Sequence, residues 1–183
     1  MKLTLALATA CAVLSAPAFA QSQTTPQPQP QSQTTGVAPA TARISTPDFV
    51  NRVIMSDMFD VQAAKIAEQK GDSSDRNFAR RESVDHSKWT DELKGMVSAG
   101  KVKNANIPTA LDSEQRQRLD QLQKLSGKQF DEAYKRDATQ NHEKLVSLLD
   151  EYSSNGDNNE VRQWVSKILP GIRGGLKSSE TLK

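Results

Sequence analysis

From Thr46 onward the apolar residues return with a helical period of about 3.6, and the residues that stop and start helices fall at very unequal intervals. A first helix is predicted with Thr46 as N-cap and Pro47 at the first helical position, where its missing N–H is no loss. Its inner face carries Val53, Ser56, Asp60, Ala63 and Ala67, and Gly71 ends it. A second helix starts at Asp72 or Ser73 and ends near Gly100, with Phe78, Glu82, Asp85, His86, Trp89, Leu93 and Met96 along its core stripe. Residues 101–111 read as loop, and Asp112 with Gln115 caps a shorter helix. Ser126 and Gln129 repeat that pattern before a helix bearing Phe130, Tyr134, Ala138, Asn141, His142, Leu145 and Leu149, stopped by Gly156. Asp157 and Glu160 are then placed to cap a last helix with the stripe Val161, Trp164, Val165, Ile168, Ile172 and Leu176, kinked at Pro170.

The unequal spacing sets the topology. The first and second long helices have almost no linker between them, nor do the third and fourth, so each pair is antiparallel. The middle connection, 100–126, is long enough to run the length of a bundle at about 3.3 Å per extended and 1.5 Å per helical residue. Two hairpins joined by one long crossover is the connectivity of a ferritin-like four-helix bundle, here with a short extra helix in the crossover. The expected fold class is therefore all-α.

The segment before residue 47 has a different character. Met1-Lys2, the apolar run Leu3 to Leu14 and the small residues of Ala18-Phe19-Ala20 form a secretory signal peptide, with cleavage expected after Ala20. The apolar run is shorter than the roughly 20 residues needed to span a bilayer, and no later window reaches that length. Export to the periplasm or medium follows as the expected location. Cys11 lies inside the signal and is the only cysteine, so the mature chain would have no disulfide, thiolate nucleophile or Cys-ligated zinc. Residues 21–46, rich in Gln, Thr, Pro and Ser, are too polar to form a core and read as a disordered tether. The domain itself is assigned to 47–183. It carries equal numbers of acidic and basic residues, because the net +2 comes from Lys2 and Arg43, and a neutral domain excludes a basic nucleic-acid footprint.

Several phrases carry a family resemblance: Asp85-His86-Ser87-Lys88, Ile107-Pro108-Thr109, Leu125-Ser126-Gly127 with Phe130-Asp131 and Tyr134, His142-Glu143-Lys144, and Ile168-Leu169-Pro170. Together these resemble the bacterial family named domain of unknown function 4142, over essentially all of 47–177. The resemblance implies a ferritin-like, exported protein and assigns no activity. It also implies Glu where this chain has Asp60, an apolar residue where it has Glu82, and His where it has Gly175.

His86 and His142 are the only histidines, and both fall mid-helix on core-facing stripes, as does Asp60. Glu82 lies one turn before His86. Mid-helix positions of an antiparallel bundle sit at similar heights, so Asp60, Glu82, His86 and His142 form the candidate metal set, suited to iron, manganese or zinc. The repeated Glu-x-x-His of di-metal bundles is absent. Asp85, Asp131 and Tyr134 are expected in a structural polar core, with Asp131 bonded to a basic group or a helix N-terminus. No phosphate loop, nucleophile elbow or H-E-x-x-H occurs, so no catalytic residue is assigned. Three readings remain: a non-enzymatic exported bundle that binds an unknown protein or small-ligand partner or supports the envelope, in which the histidines are structural; a ferritin-like metal-binding protein; and an amphipathic or ligand-holding bundle that opens at a membrane.

Overall fold

The computed structural model describes residues 43–182, which are helical apart from their connections. The expected signal peptide, 1–20, and almost all of the expected tether, 21–46, lie outside the described residues. Five helices follow in order: α1 Thr46–Lys70, α2 Ser73–Ser98, α3 Ser113–Lys124, α4 Gly127–Asn155 and α5 Asn159–Glu180. The extensive packing is of α1 on α2 and α4 on α5, with α4 also lying against α1. This is the expected pair of hairpins, and the long crossover carries the short α3. None of the described helices is long and apolar enough to cross a membrane.

Three helix starts differ from the sequence expectation. The N-cap of α1 is Ser45, whose hydroxyl accepts from the Asp48 N–H at 3.3 Å. Thr46 is instead buried, and its hydroxyl bonds the Tyr152 hydroxyl and donates to Asp157. Asp157 is thereby taken from the capping role, which passes to Asn158: its side-chain oxygen accepts from Glu160 and Val161 N–H at 3.0 and 3.1 Å. At α4, Ser126 is the N-cap without a side-chain bond. Gly127 follows it at φ +54°, a left-handed turn that aims the chain away from the geometry a capping box needs. Helix α5 continues through Pro170.

The apolar core is in two parts. One end holds Phe49, Val53, Ile54, Leu93, Leu145, Leu149, Val165 and Ile172 among others. The other holds Phe59, Ala63, Phe78, Leu119, Leu122, Phe130 and Tyr134. Leu119 and Leu122 come from α3, which also lays the Arg118 guanidinium 4.2 Å over the Phe59 ring. Between the two parts, at the middle of α1, α2 and α4, the chain buries Asp57, Asp60, Glu82, His86, Thr90, Asn141 and His142. Each burial of a large apolar side chain contributes about 1.5–3 kcal/mol. The polar belt between them contributes only if its hydrogen bonds close.

Candidate metal centre

The belt is assembled by helical spacing. Asp57 and Asp60 are three residues apart on α1, and Glu82, His86 and Thr90 repeat every four on α2, so each set occupies one face. Asn141 and His142 come from α4. The His86 ring is fully buried and His142 is 1 % exposed, so neither has recourse to solvent.

Each imidazole has one nitrogen committed to an acceptor. His86 Nδ1 lies 2.7 Å from Asp57 Oδ1, and the other Asp57 oxygen accepts from the Thr90 hydroxyl at 2.8 Å. His142 Nδ1 lies 2.9 Å from the Ala138 carbonyl oxygen. These acceptors have no proton to offer, so both Nδ1 atoms donate. Both Nε2 atoms then meet one oxygen, Glu82 Oε2, at 3.1 Å from His86 and 2.9 Å from His142. Asp60 Oδ2 stands 3.6 Å from His86 Nε2 and is fixed by the Asn141 amide at 2.7 Å, which also donates to the Ser56 hydroxyl.

With Nδ1 protonated, a neutral ring presents only a lone pair at Nε2, facing carboxylate lone pairs. The contact becomes favourable in two ways: both rings carry a second proton, or one divalent cation sits among the Nε2 and carboxylate atoms. Either supplies two positive charges against the three carboxylates. In a tetrahedral site a metal at about 2.0–2.2 Å from each ligand sets neighbouring ligand atoms roughly 3.3–3.6 Å apart. Asp60 Oδ2, 3.6 Å from His86 Nε2, already stands at that spacing, whereas the 2.9 and 3.1 Å approaches to Glu82 Oε2 are shorter and would have to open by a few tenths of an ångström. The donor atoms of Glu82, His86 and His142 lie within 4.8 Å of one another. The Asp57–His86 bond is also the kind of outer contact that orients a metal-ligating imidazole.

The electrostatics follow from burial against pairing. Burial alone would lower both imidazoles, but Asp60, Asp57 and Glu82 around His86, and Glu82 with Asp60 around His142, turn both upward. For Glu82, burial pushes up while bonds from His142 and His86 outweigh it and hold the carboxyl at about 2. Burial dominates at Asp60 and raises it.

Two other features close the site. A cavity of about 10 Å³ is lined by Asp60, Ala63, Phe78, Glu82, Tyr134, Ala138 and His142. On the α5 side, the buried Gly175 backbone comes so near that a β-carbon there would stand 2.5 Å from His142 Nε2 and 3.1 Å from Glu82 Oε2.

Three of the four candidate ligands, Glu82, His86 and His142, therefore meet, and Asp60 stands beside the group through its 3.6 Å approach to His86 Nε2. Tyr134 is 2 % exposed beside them. Asp131 is half-buried at the α2 N-terminus, where it accepts from the Asp72 N–H at 3.1 Å. Asp85 corrects the sequence reading: it is exposed, because one residue before the inward-facing His86 is about 100° round the helix. Two contributors went unread in the sequence, Asp57 and Thr90. Asp57 had a signal, since Val53, Asp57, Asp60 and Ala64 follow the i, i+4, i+7 spacing of a buried face.

The sequence profile of a family described as domain of unknown function (DUF4142) matches residues 28–182. The chain belongs to this family. No curated protein and no solved structure matches it. In this DUF4142 chain, Gly175, where the resemblance implies His, leaves helix backbone rather than a further imidazole against His142.

Proposed function

We propose that this DUF4142 chain is an exported, ferritin-like bundle that holds one divalent transition-metal ion in its core. The ligands are His86 and His142 through Nε2, with Glu82 and Asp60, and the candidate ions are iron, manganese and zinc. One observation carries this reading: both imidazoles have Nδ1 occupied by an acceptor, and both direct Nε2 at the same buried carboxylate oxygen. Residues 1–20 support export to the periplasm or medium. The set is mononuclear, and its burial leaves no room for an organic substrate, which favours a binding role over an enzymatic one.

A second reading has a specific observation in its favour. The 2.9 and 3.1 Å separations are also ordinary hydrogen-bond lengths, and the upward displacement of both histidines fits an ion-pair network without metal. Elemental analysis of residues 21–183, with thermal melts in chelator and in added Fe, Mn or Zn, separates the two. The metal reading expects about one ion per chain and a melting temperature raised by mass action, with the rise abolished in His142→Ala. An ion content of zero and coincident melts would make the network structural.

A further inference from the structure

A larger cavity lies in the seam between α1 and α4, with the start of α3 as its third wall. It holds about 360 Å³, at the lower end of the range usual for small-molecule sites. Met55 of α1 and Leu145 and Leu148 of α4 are its apolar lining, and Ser56 and Asn141 lie beside them. These walls are fixed in advance. The Asn141 amide donates to the Ser56 hydroxyl at 2.9 Å and to Asp60 at 2.7 Å, and the Gln115 amide donates to the Met55 carbonyl at 3.3 Å, which ties α3 to α1. Two cations, Arg52 and Lys144, line both this cavity and the adjoining cleft, so they stand where the two spaces join. Both are exposed. The Arg and Lys ion pairs among the described residues are made by Lys101, Arg118, Lys128, Lys167 and Arg173, and neither Arg52 nor Lys144 is neutralised in this way. The one acid lining the cavity is Asp112, whose Oδ1 is committed to the Gln115 N–H at 2.8 Å as the cap of α3. Glu143 and Glu151 line the cleft outside.

We infer that this cavity binds a small organic monoanion, a carboxylate with a short apolar body, its charge held by Arg52 and Lys144 and its body against Met55, Leu145 and Leu148. The charge balance sets the class. Two cations against one acid favour a single negative charge, and Asp112, Glu143 and Glu151 around them repel a second, which disfavours dicarboxylates and phosphate esters. Exposed cations contribute little affinity alone, so the apolar body supplies most of the binding and the cations select the charge. The inference does not depend on the metal reading, because none of the four candidate metal ligands lines this cavity.

The test is a ¹H–¹⁵N NMR titration of residues 21–183 at low salt with hexanoate, hexan-1-ol, acetate and hexyl phosphate. Hexanoate is expected to shift the amides around Met55 and Lys144 saturably, at one site. Hexan-1-ol, which lacks the charge, and acetate, which lacks the body, are each expected to bind about fivefold more weakly or worse. Hexyl phosphate is expected to bind no more tightly than hexanoate. Arg52→Gln combined with Lys144→Gln is expected to weaken hexanoate about tenfold, the value of a hydrogen bond to a charged group, and to leave hexan-1-ol unchanged. Both side chains are exposed, so the remaining resonances should keep their positions and report an intact fold. Lys65→Gln combined with Lys94→Gln removes two cations from the α1–α2 face and is expected to leave hexanoate binding unchanged. Absence of a saturable shift overturns the inference, as does an equal loss of hexanoate binding in the two double variants. Hexan-1-ol binding as tightly as hexanoate overturns the anion recognition, and tighter binding of hexyl phosphate overturns the choice of a monocarboxylate.

Discussion

Gly175 and His142 are in such close register that a β-carbon on the glycine would stand 2.5 Å from the imidazole Nε2. No side chain other than hydrogen is accommodated there without moving the ring or the helix, and the ring is held from its other side by the Ala138 carbonyl. Gly175→Ala is expected to destabilise the fold and to weaken metal binding, because His142 Nε2 must leave Glu82. Gly174 is the control, one residue away with open space around its β-position. Gly174→Ala is expected to gain about 0.5–1 kcal/mol from helix propensity and to leave metal affinity unchanged. Urea unfolding and metal titration of the two variants decide the matter, and equal behaviour would refute the close approach.

Asp57 acts on the site through His86. Its carboxylate fixes the ring's tautomer and is itself fixed by Thr90, so Asp57→Asn keeps the shape while removing the charge. A loss of about 10–100-fold in metal affinity is expected, as for other outer-shell partners of metal-bound histidine. Zinc or cobalt affinity measured against a competing chelator checks it. Unchanged affinity would remove Asp57 from the centre.

The bundle was legible in sequence because its information is local: caps, glycines and the 3.6-residue period mark the helices, and the linker lengths decide which pair. Convergence of Glu82, His86 and His142, with Asp60 beside His86, was legible for the related reason that mid-helix positions meet. The spacing of Asp57 put it on the buried face, but its role and that of Thr90 were not legible, because on stripes already carrying Asp60 and His86 each reads as an ordinary polar residue until its partner is placed. The same limit governs Asp157 and Asn158. Adjacent in sequence and both good caps, they are distinguished by Thr46, 111 residues away on α1, which with Tyr152 at the end of α4 claims Asp157.

That distinction is measurable by double-mutant cycles. Asn158→Ala is expected to cost about 1 kcal/mol through loss of the α5 cap. Asp157→Ala is expected to act through the Thr46–Tyr152 contact between the ends of α1 and α4. Thr46→Val should therefore couple to Asp157→Ala by about 0.5 kcal/mol or more, while its effect adds to that of Asn158→Ala. Coupling of Thr46→Val to Asn158→Ala instead would return the cap to Asp157.

Asp75 supplies a pH dependence of its own, outside the candidate metal set. It is 0 % exposed at the start of α2, and neither carboxylate oxygen has a hydrogen-bond partner. Burial, then the Asp131 carboxyl and the charge of Asp72, outweigh Lys135 and raise it from 3.8 to about 7. Between those values the folded chain holds a proton at Asp75 that the unfolded chain has released. Stability from this group is therefore complete below about pH 4 and is lost as pH rises toward 7, at no more than about 1.4 kcal/mol per pH unit. Asp75→Asn has no proton to lose, and its amide donates to Asp131. The stability of the variant minus that of the wild type should climb from pH 4.5 to 7 and level off above, leaving the variant the more stable protein at pH 8. The difference isolates Asp75 from the two histidines, which titrate in both chains. Urea unfolding across that range measures it, and a flat difference would mean that Asp75 is already ionised in the folded protein at pH 4.5.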